Sequence, residues 1–256
     1  MSILNEDKQY HLKISKDDVG QYVILPGDPG RVPLIAQLLD NAKFVAQNRE
    51  YTTYTGSLNN VKVSVVSTGI GGPSAAIAIE ELIKCGCHTF IRVGSCGGIM
   101  KDVIGGDIVI ATASVRAEGT SIEYLPDGYP AAANFEVVTA TVAAAKELSS
   151  DSDGNRYHVG VVQSKDSFYG ETNPETMPVF DMLKNKWDAY VQCGCLASEM
   201  ESAALFSVGL ARGVRVGALF TTYWNIEREK LGLSNPVCND NSRTIKCAVE
   251  AIRKLL

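Results

Sequence analysis

Short apolar runs alternate along the chain with stretches whose apolar residues recur at helical spacing, the two periods that mark buried strands and amphipathic helices. Val23-Ile24-Leu25 predicts a first strand, followed by the turn Pro26-Gly27-Asp28-Pro29-Gly30-Arg31 and a helix over 32–39. Segments 51–55 and 61–68 read as a hairpin joined through Asn59-Asn60. The loop Gly69-Ile70-Gly71-Gly72-Pro73-Ser74 opens a helix over 75–84, which Gly86 stops. A central strand begins at Thr89 and another covers 107–112. A helix over 135–148 leads into a polar surface loop at 149–155. Strands at 159–162 and 214–220 and an amphipathic helix over 242–256 complete the series. This rhythm predicts an α/β fold, a three-layer α/β/α arrangement with a central mixed sheet covered by helices on both faces. No linker or repeat interrupts it, so residues 1–256 read as one domain.

The central strand, Thr89-Phe90-Ile91-Arg92-Val93-Gly94-Ser95-Cys96-Gly97-Gly98, carries one arginine inside an apolar run and ends in small residues. A guanidinium keeps its proton inside a protein, so a buried one needs an anion facing it. The glycines let backbone N–H groups approach a ligand. An anion site at the strand end and an arginine paired with an internal carboxylate are both open on this stretch alone. The turn carrying Gly27, Gly30 and Arg31 lies between a strand and a helix and suits an anion in the same way, or is an ordinary turn. The 69–74 loop has Ser74 where a dinucleotide fingerprint needs its third small residue, and Thr89 where an acid should follow. Nicotinamide chemistry is therefore disfavoured, and no Walker lysine supports nucleoside triphosphate chemistry. Glu199 and Glu201 in Ser198-Glu199-Met200-Glu201-Ser202 lie two apart, which in extended backbone puts both on one side. Paired carboxylates suit sugar hydroxyls; acids at a helix start also complement its dipole. Arg49 alone reads as a solvated charge.

Composition narrows the field. A net charge of −5 with no basic cluster argues against nucleic acid as a partner. The apolar runs are too short for a membrane span, and the N-terminal residues lack the basic start and apolar core of a signal peptide. Seven cysteines, several in apolar segments, fit reduced thiols in a cytoplasmic protein. Cys85-Gly86-Cys87-His88 and Cys193-Gly194-Cys195 lack zinc-site spacing, and the chain holds only three histidines. No Ser-His-Asp or Cys-His arrangement supports a nucleophilic residue.

Taken together, Gly27-Asp28-Pro29 with Arg31, Asn48-Arg49-Glu50, the Ser67–Ser74 segment, Arg92-Val93-Gly94-Ser95, Thr112–Arg116 and Glu199-Met200-Glu201-Ser202 resemble the nucleoside phosphorylases, and within them the uridine phosphorylases. The resemblance covers nearly the whole chain and implies that family's fold. It implies a pentosyltransferase: inorganic phosphate attacks C1′ of a nucleoside and the base leaves, with no organic cofactor. Matched by position, Gly27, Arg31, Arg92 and Ser95 resemble phosphate ligands, and Arg49 a ligand reaching a neighbouring subunit's phosphate. Met200 and Glu201 resemble the ribose floor with Glu199 and Ser95 beside it. His11 resembles the histidine that an adjacent chain lends to the ribose. Arg92, Ser95 and Glu201 are the implied catalytic groups. Phe168 resembles the wall of the base pocket. Glu50, Ile70 and Ser74 match positions that hold a monovalent cation between subunits in some members. The resemblance thus implies a homodimer as the catalytic unit, commonly built into a hexamer as a trimer of dimers.

The base loop departs from the pattern. Glu171 stands at the position expected to hold a glutamine, and Thr176 where an arginine reads uracil. A carboxylate accepts from uracil N3–H but donates to neither carbonyl. Purine members carry an aspartate after the last strand; Thr221-Thr222-Tyr223-Trp224-Asn225 has none, with Trp224 in its place. That favours a pyrimidine nucleoside, uridine. The rivals are a purine nucleoside phosphorylase, a nucleosidase that uses water and would not need the arginines, and a nucleoside-binding homologue with weak or no activity.

Overall fold

In the computed structural model, which describes residues 8–149 and 156–256, one ten-stranded sheet organises the chain. The strands are β1 (Tyr22–Pro26), β2 (Asp40–Asn48), β3 (Tyr51–Leu58), β4 (Val61–Val66), β5 (Thr89–Gly98), β6 (Ile108–Ala117), β7 (Ala131–Ala132), β8 (Tyr157–Lys165), β9 (Ala197–Glu199) and β10 (Arg215–Asn225). The helices are α1 (Arg31–Ala36), α2 (Gly72–Lys84), α3 (Phe135–Glu147), α4 (Phe168–Thr172), α5 (Phe180–Gln192), α6 (Ser202–Arg212), α7 (Ile226–Lys230) and α8 (Ser242–Leu255). The expected mixed sheet is present. β5 pairs in parallel with β1 and β10, while β10 pairs antiparallel with β6.

One side of the sheet does more than the sequence rhythm implies. β10 joins β6, β6 joins β8, β8 joins β9, and β9 returns to β5 at Gly97 and Gly98. Because β5 also pairs with β10, these five strands close on themselves. The other side runs out as an open series through β1, β4, β3 and β2.

Alternation along each strand assigns the two faces. Phe90, Val23, Leu25, Ala218 and Phe220 join a core with Ile79, Leu82, Leu205 and Phe206 of α2 and α6. Ile91, Val93, Ile24 and Leu219 join a second core with Val32, Val137, Ala144, Cys247 and Ile252 of α1, α3 and α8. Arg92 therefore leaves β5 on the α2/α6 side, where no aliphatic neighbour can neutralise it.

Several elements escaped the sequence pattern. β2 is an edge strand of exposed and half-buried residues, so no apolar alternation announced it. α5 buries only Trp187. β6 and β8 run on to Ala117 and Lys165 through polar side chains that the rolled part of the sheet encloses. Of the polar loop expected at 149–155, residues 150–155 lie outside the described residues.

Candidate active site

The closure of the sheet fixes where a site can form. β1 pairs with β5 only as far as Val93, and β9 takes up the same edge only at Gly97. Gly94, Ser95 and Cys96 thus leave one edge open between a departing and an arriving strand. Crevices at such strand ends are where open α/β sheets bind ligands. A cleft of about 630 Å³ opens there, lined by Gly27, Arg31, Arg92, Ser95, Met200 and Glu201 among others.

Arg92 is 5% exposed and meets two buried carboxylates, Glu199 and Glu201. Its Nη2 donates to Glu201, its Nη1 donates to Thr68 Oγ1 at 3.3 Å, and its Nε stands 3.8 Å from Glu199 Oε2. Among the described residues Nε has no hydrogen-bond acceptor. The two readings left open for this arginine thus coexist: it is ion-paired internally and it lines the cleft. A Cβ on Gly27 would press on the Gly69 carbonyl oxygen at 3.2 Å and would stand in ordinary contact with Arg92 Nη2 at 3.5 Å. The bare glycine thus chiefly lets the 27 and 69 turns approach each other beside the arginine. Arg31, at the start of α1, lines the same cleft and donates from Nη2 to the Tyr223 phenol at 3.0 Å.

Glu199 and Glu201 are not side by side on one strand face. Glu199 ends β9, while Glu201 is the residue that caps α6. Glu199 Oε2 accepts the N–H of Glu201 at 2.8 Å and of Ser202 at 3.0 Å, and its Oε1 accepts from the Ser164 hydroxyl. It satisfies orphan donors at the helix start. Glu201 Oε1 accepts the Gly71 N–H at 2.5 Å from the start of α2. Burial, and then the charge of Glu201, hold the Glu199 carboxyl above its ordinary range, against the pull of Arg92 and the Ser164 hydroxyl.

A second group of residues lines the same cleft. Phe168 and Trp224 meet edge to face with centroids 6.4 Å apart. Beside them, Lys165 Nζ bonds Glu171 Oε1 at 2.8 Å and donates to Ser198 Oγ at 2.6 Å, while the Ser198 hydroxyl donates to Glu171 Oε2 at 2.8 Å. Sequence reasoning missed Lys165, Ser198 and Tyr223. The only hint was the polar run Gln163-Ser164-Lys165 closing an apolar strand, all three buried. A larger cavity, about 910 Å³, adjoins the cleft and shares Lys165, Glu171, Thr172 and Trp224.

Other expected residues fall elsewhere. Thr176 is exposed, and its hydroxyl donates to Asn173 O at 2.7 Å; Thr172 lines the cleft instead. The turn after α4 folds back on itself and keeps Thr176 out. Arg49 is exposed at the β2–β3 turn with φ 54°, and His11 packs on Glu81 through Nδ1 at 2.7 Å; neither lines this chain's cleft. Glu50 and Ile70 do line it, and the Ser74 hydroxyl donates to Ile70 O at 3.0 Å. Among the described residues no group of three His, Cys, Asp or Glu side chains could hold a metal ion. No helix of the described residues is long and apolar enough to cross a membrane. Cys96 lines the cleft, but burial pushes its thiol up to about 12, too high for a thiolate nucleophile at neutral pH.

A mixed sheet that rolls shut beside an open strand end brings arginines and buried acids together in one cleft of an α/β fold. The chain belongs to the phosphorylase superfamily, whose family model matches residues 21–242, and it is a glycosyl-transferring enzyme. It is 48% identical over 254 residues to a uridine phosphorylase of Treponema pallidum, covering 99% of this chain and 96% of the relative. It is 37% identical over 258 residues to the uridine phosphorylase of Escherichia coli, 99% and 100% of the two chains. A guanosine phosphorylase of Halorubrum lacusprofundi is 41% identical over 219 residues, 86% and 84%. The resemblance read from the motifs is borne out, and a phosphorylase takes inorganic phosphate as co-substrate.

Proposed function

We propose that this enzyme cleaves uridine with inorganic phosphate, reversibly, to uracil and ribose 1-phosphate. The observation that carries the reading is that Arg31, Arg92 and Ser95 line the same cleft as Met200, Glu201 and Phe168. Phosphate needs several charged donors to offset its desolvation. Gly27 backbone, Arg31, Arg92 and Ser95 supply them from one chain, and Arg49 of a second copy completes the set. Glu201 accepts from the ribose hydroxyls above Met200, with Glu199 holding the α6 start beneath it. His11 of the second copy reaches the 5′ end.

Once bound, the nucleophile is a substrate oxygen, so placing it near C1′ supplies much of the rate. Phosphate and Glu201 set negative charge beside a C1′ that becomes cationic as the base departs. The base stacks on Phe168, with Glu171 at its edge. Trp224 stands where purine members need an aspartate, which supports a pyrimidine over a purine. A homodimer is the catalytic unit, assembled as a trimer of dimers. Glu50, Ile70 and Ser74 hold a monovalent cation at the contact. The free cysteines support a cytoplasmic setting.

The test is release of free uracil from uridine with and without phosphate. Phosphate-dependent release supports the reading. Release that persists unchanged without phosphate would make the protein a nucleosidase, and ligand binding without release would make it a binding protein.

A further inference from the structure

The closed polar ring of Lys165, Glu171 and Ser198 has no part in binding phosphate or ribose, yet Lys165 and Glu171 are nearly buried, with side chains 10% and 9% exposed. We infer that Lys165 and Glu171 form one device that reads a carbonyl beside an N–H on the base, and that Lys165 stabilises the base as it leaves. This inference rests on the phosphorylase reading above.

The argument starts from counting donors and acceptors. An ammonium has three N–H groups. Lys165 spends one on Glu171 Oε1 and one on Ser198 Oγ. Ser198 accepts from Lys165 and donates to Glu171 Oε2, so its hydroxyl is engaged both ways. What the ring has left is one N–H on Lys165 and a further lone pair on each Glu171 oxygen. All three residues line the cleft together with Phe168, and Lys165 Nζ lies 5.9 Å from the centre of the Phe168 ring. The ring therefore offers a donor and an acceptor side by side at the edge of the aromatic wall.

Uracil matches that pair with O4, an acceptor, next to N3–H, a donor. Cytosine presents the reverse order, an amine where Lys165 donates and a bare nitrogen where Glu171 accepts. Leaving buried polar groups unpaired in this way is how sites built to hydrogen-bond their substrate reject analogues. The sequence alone suggested that Glu171 could donate to neither carbonyl and that an expected arginine was missing. Lys165, from the end of β8, restores the missing positive donor from a different element.

The same ammonium bears on the chemistry. A phosphate oxygen forms its bond to C1′ as the C1′–N1 bond breaks, and the electron pair of that bond moves into the ring, onto O2 and O4. The base then gains a proton at N1 from water, and the phosphate monoester releases the proton that monohydrogen phosphate brought. A cation already fixed beside O4 favours the charge as it develops and needs no rearrangement.

The test compares wild type, Lys165→Met, Glu171→Gln and the double variant on uridine, 5-fluorouridine and cytidine at saturating phosphate. Lys165→Met should lower kcat on uridine by about 10²-fold or more while the phosphate KM stays within about threefold. The loss on 5-fluorouridine, whose base is the more stable anion, should be at least about tenfold smaller. Glu171→Gln should narrow the preference for uridine over cytidine by about tenfold or more. The double variant removes the carboxylate that Lys165→Met leaves unpaired, and it should remain as slow on uridine as the single change. Recovery in the double variant, or equal losses on uridine and 5-fluorouridine, would reduce Lys165 to a counter-ion and overturn the inference. A wild type active on uridine with Lys165→Met unchanged would sink this inference alone. A wild type without phosphate-dependent release would sink the reading of the site, and this with it.

Discussion

Arg31 of α1 and Tyr223 of β10 meet at the cleft, with the guanidinium donating to the phenolic oxygen at 3.0 Å. The same oxygen accepts from Asn241 Nδ2 at 2.8 Å, so Tyr223 is held from the far side while it holds Arg31. An arginine fixed in this way loses less side-chain freedom when an anion arrives. Tyr223→Phe should therefore raise the phosphate KM by about two- to tenfold, the worth of one hydrogen bond, with kcat little changed. Arg31→Ala should cost about 10²-fold in kcat/KM for phosphate. Initial rates at varied phosphate check both, and an unchanged phosphate KM in Arg31→Ala would place the anion elsewhere.

Arg92 stabilises the fold as well as the site, because removing it strands two carboxylates. Glu199 and Glu201 are 3% and 4% exposed and share this one guanidinium. Breaking a buried pair from one side costs about 3–5 kcal/mol. Arg92→Met should lose stability in that range, whereas Arg92→Met combined with Glu201→Gln should regain part of it and remain inactive. Urea unfolding of the single and double variants measures the difference. Glu201→Gln alone leaves one acceptor oxygen for two donors, the Gly71 N–H and Arg92 Nη2, and removes an anion facing the guanidinium. It should therefore lose stability as well, with Glu199 still beside Arg92, and lose about 10²-fold or more in kcat.

How far the sequence revealed this site depends on whether a residue's partners lie nearby in the chain. Arg92 was legible because a guanidinium inside an apolar strand needs an explanation wherever its partner comes from. Glu199 and Glu201 were legible by spacing, though the geometry behind the spacing differs: one ends a strand and the other starts a helix. Lys165 was not legible. Its meaning depends on α4 turning Glu171 back towards β8 and on β9 bringing in Ser198, and no local pattern encodes either approach. The fold shows the same division. Strands with buried alternation were found, while the exposed edge β2 and the polar ends of β6 and β8 left no periodic trace.

Cys96 lines the cleft, yet its thiol is not set up as a nucleophile. Burial raises its thiol to about 12, and its Sγ faces Thr222 Oγ1 at 3.7 Å. Cys193, by contrast, is exposed. Iodoacetamide at pH 7.5 should modify Cys193 in the native protein and reach Cys96 only after denaturation, with activity retained. Peptide mass mapping reads both, and native alkylation at Cys96 would contradict the burial described.

Asp107 should set the response of the fold to acid. It is buried before β6, where it accepts the Ile104 N–H at 3.0 Å, Arg156 Nη2 at 2.8 Å, and lies 2.8 Å from His158 Nε2. Arg243 of α8 adds positive charge nearby. Burial alone would raise this carboxyl, but the bonds from His158, Ile104 and Arg156 outweigh it and hold the group below its ordinary 3.8. A carboxyl whose folded value is depressed contributes stability above the unfolded value, and that contribution drains away as the pH falls through the folded value. Asp107→Asn should therefore cost about 1–3 kcal/mol at pH 7. The gap between the two proteins should close as the pH drops below 3.8. Chemical unfolding at a series of pH values decides it: a gap that stays constant down to pH about 3 would mean that packing rather than charge makes Asp107 matter.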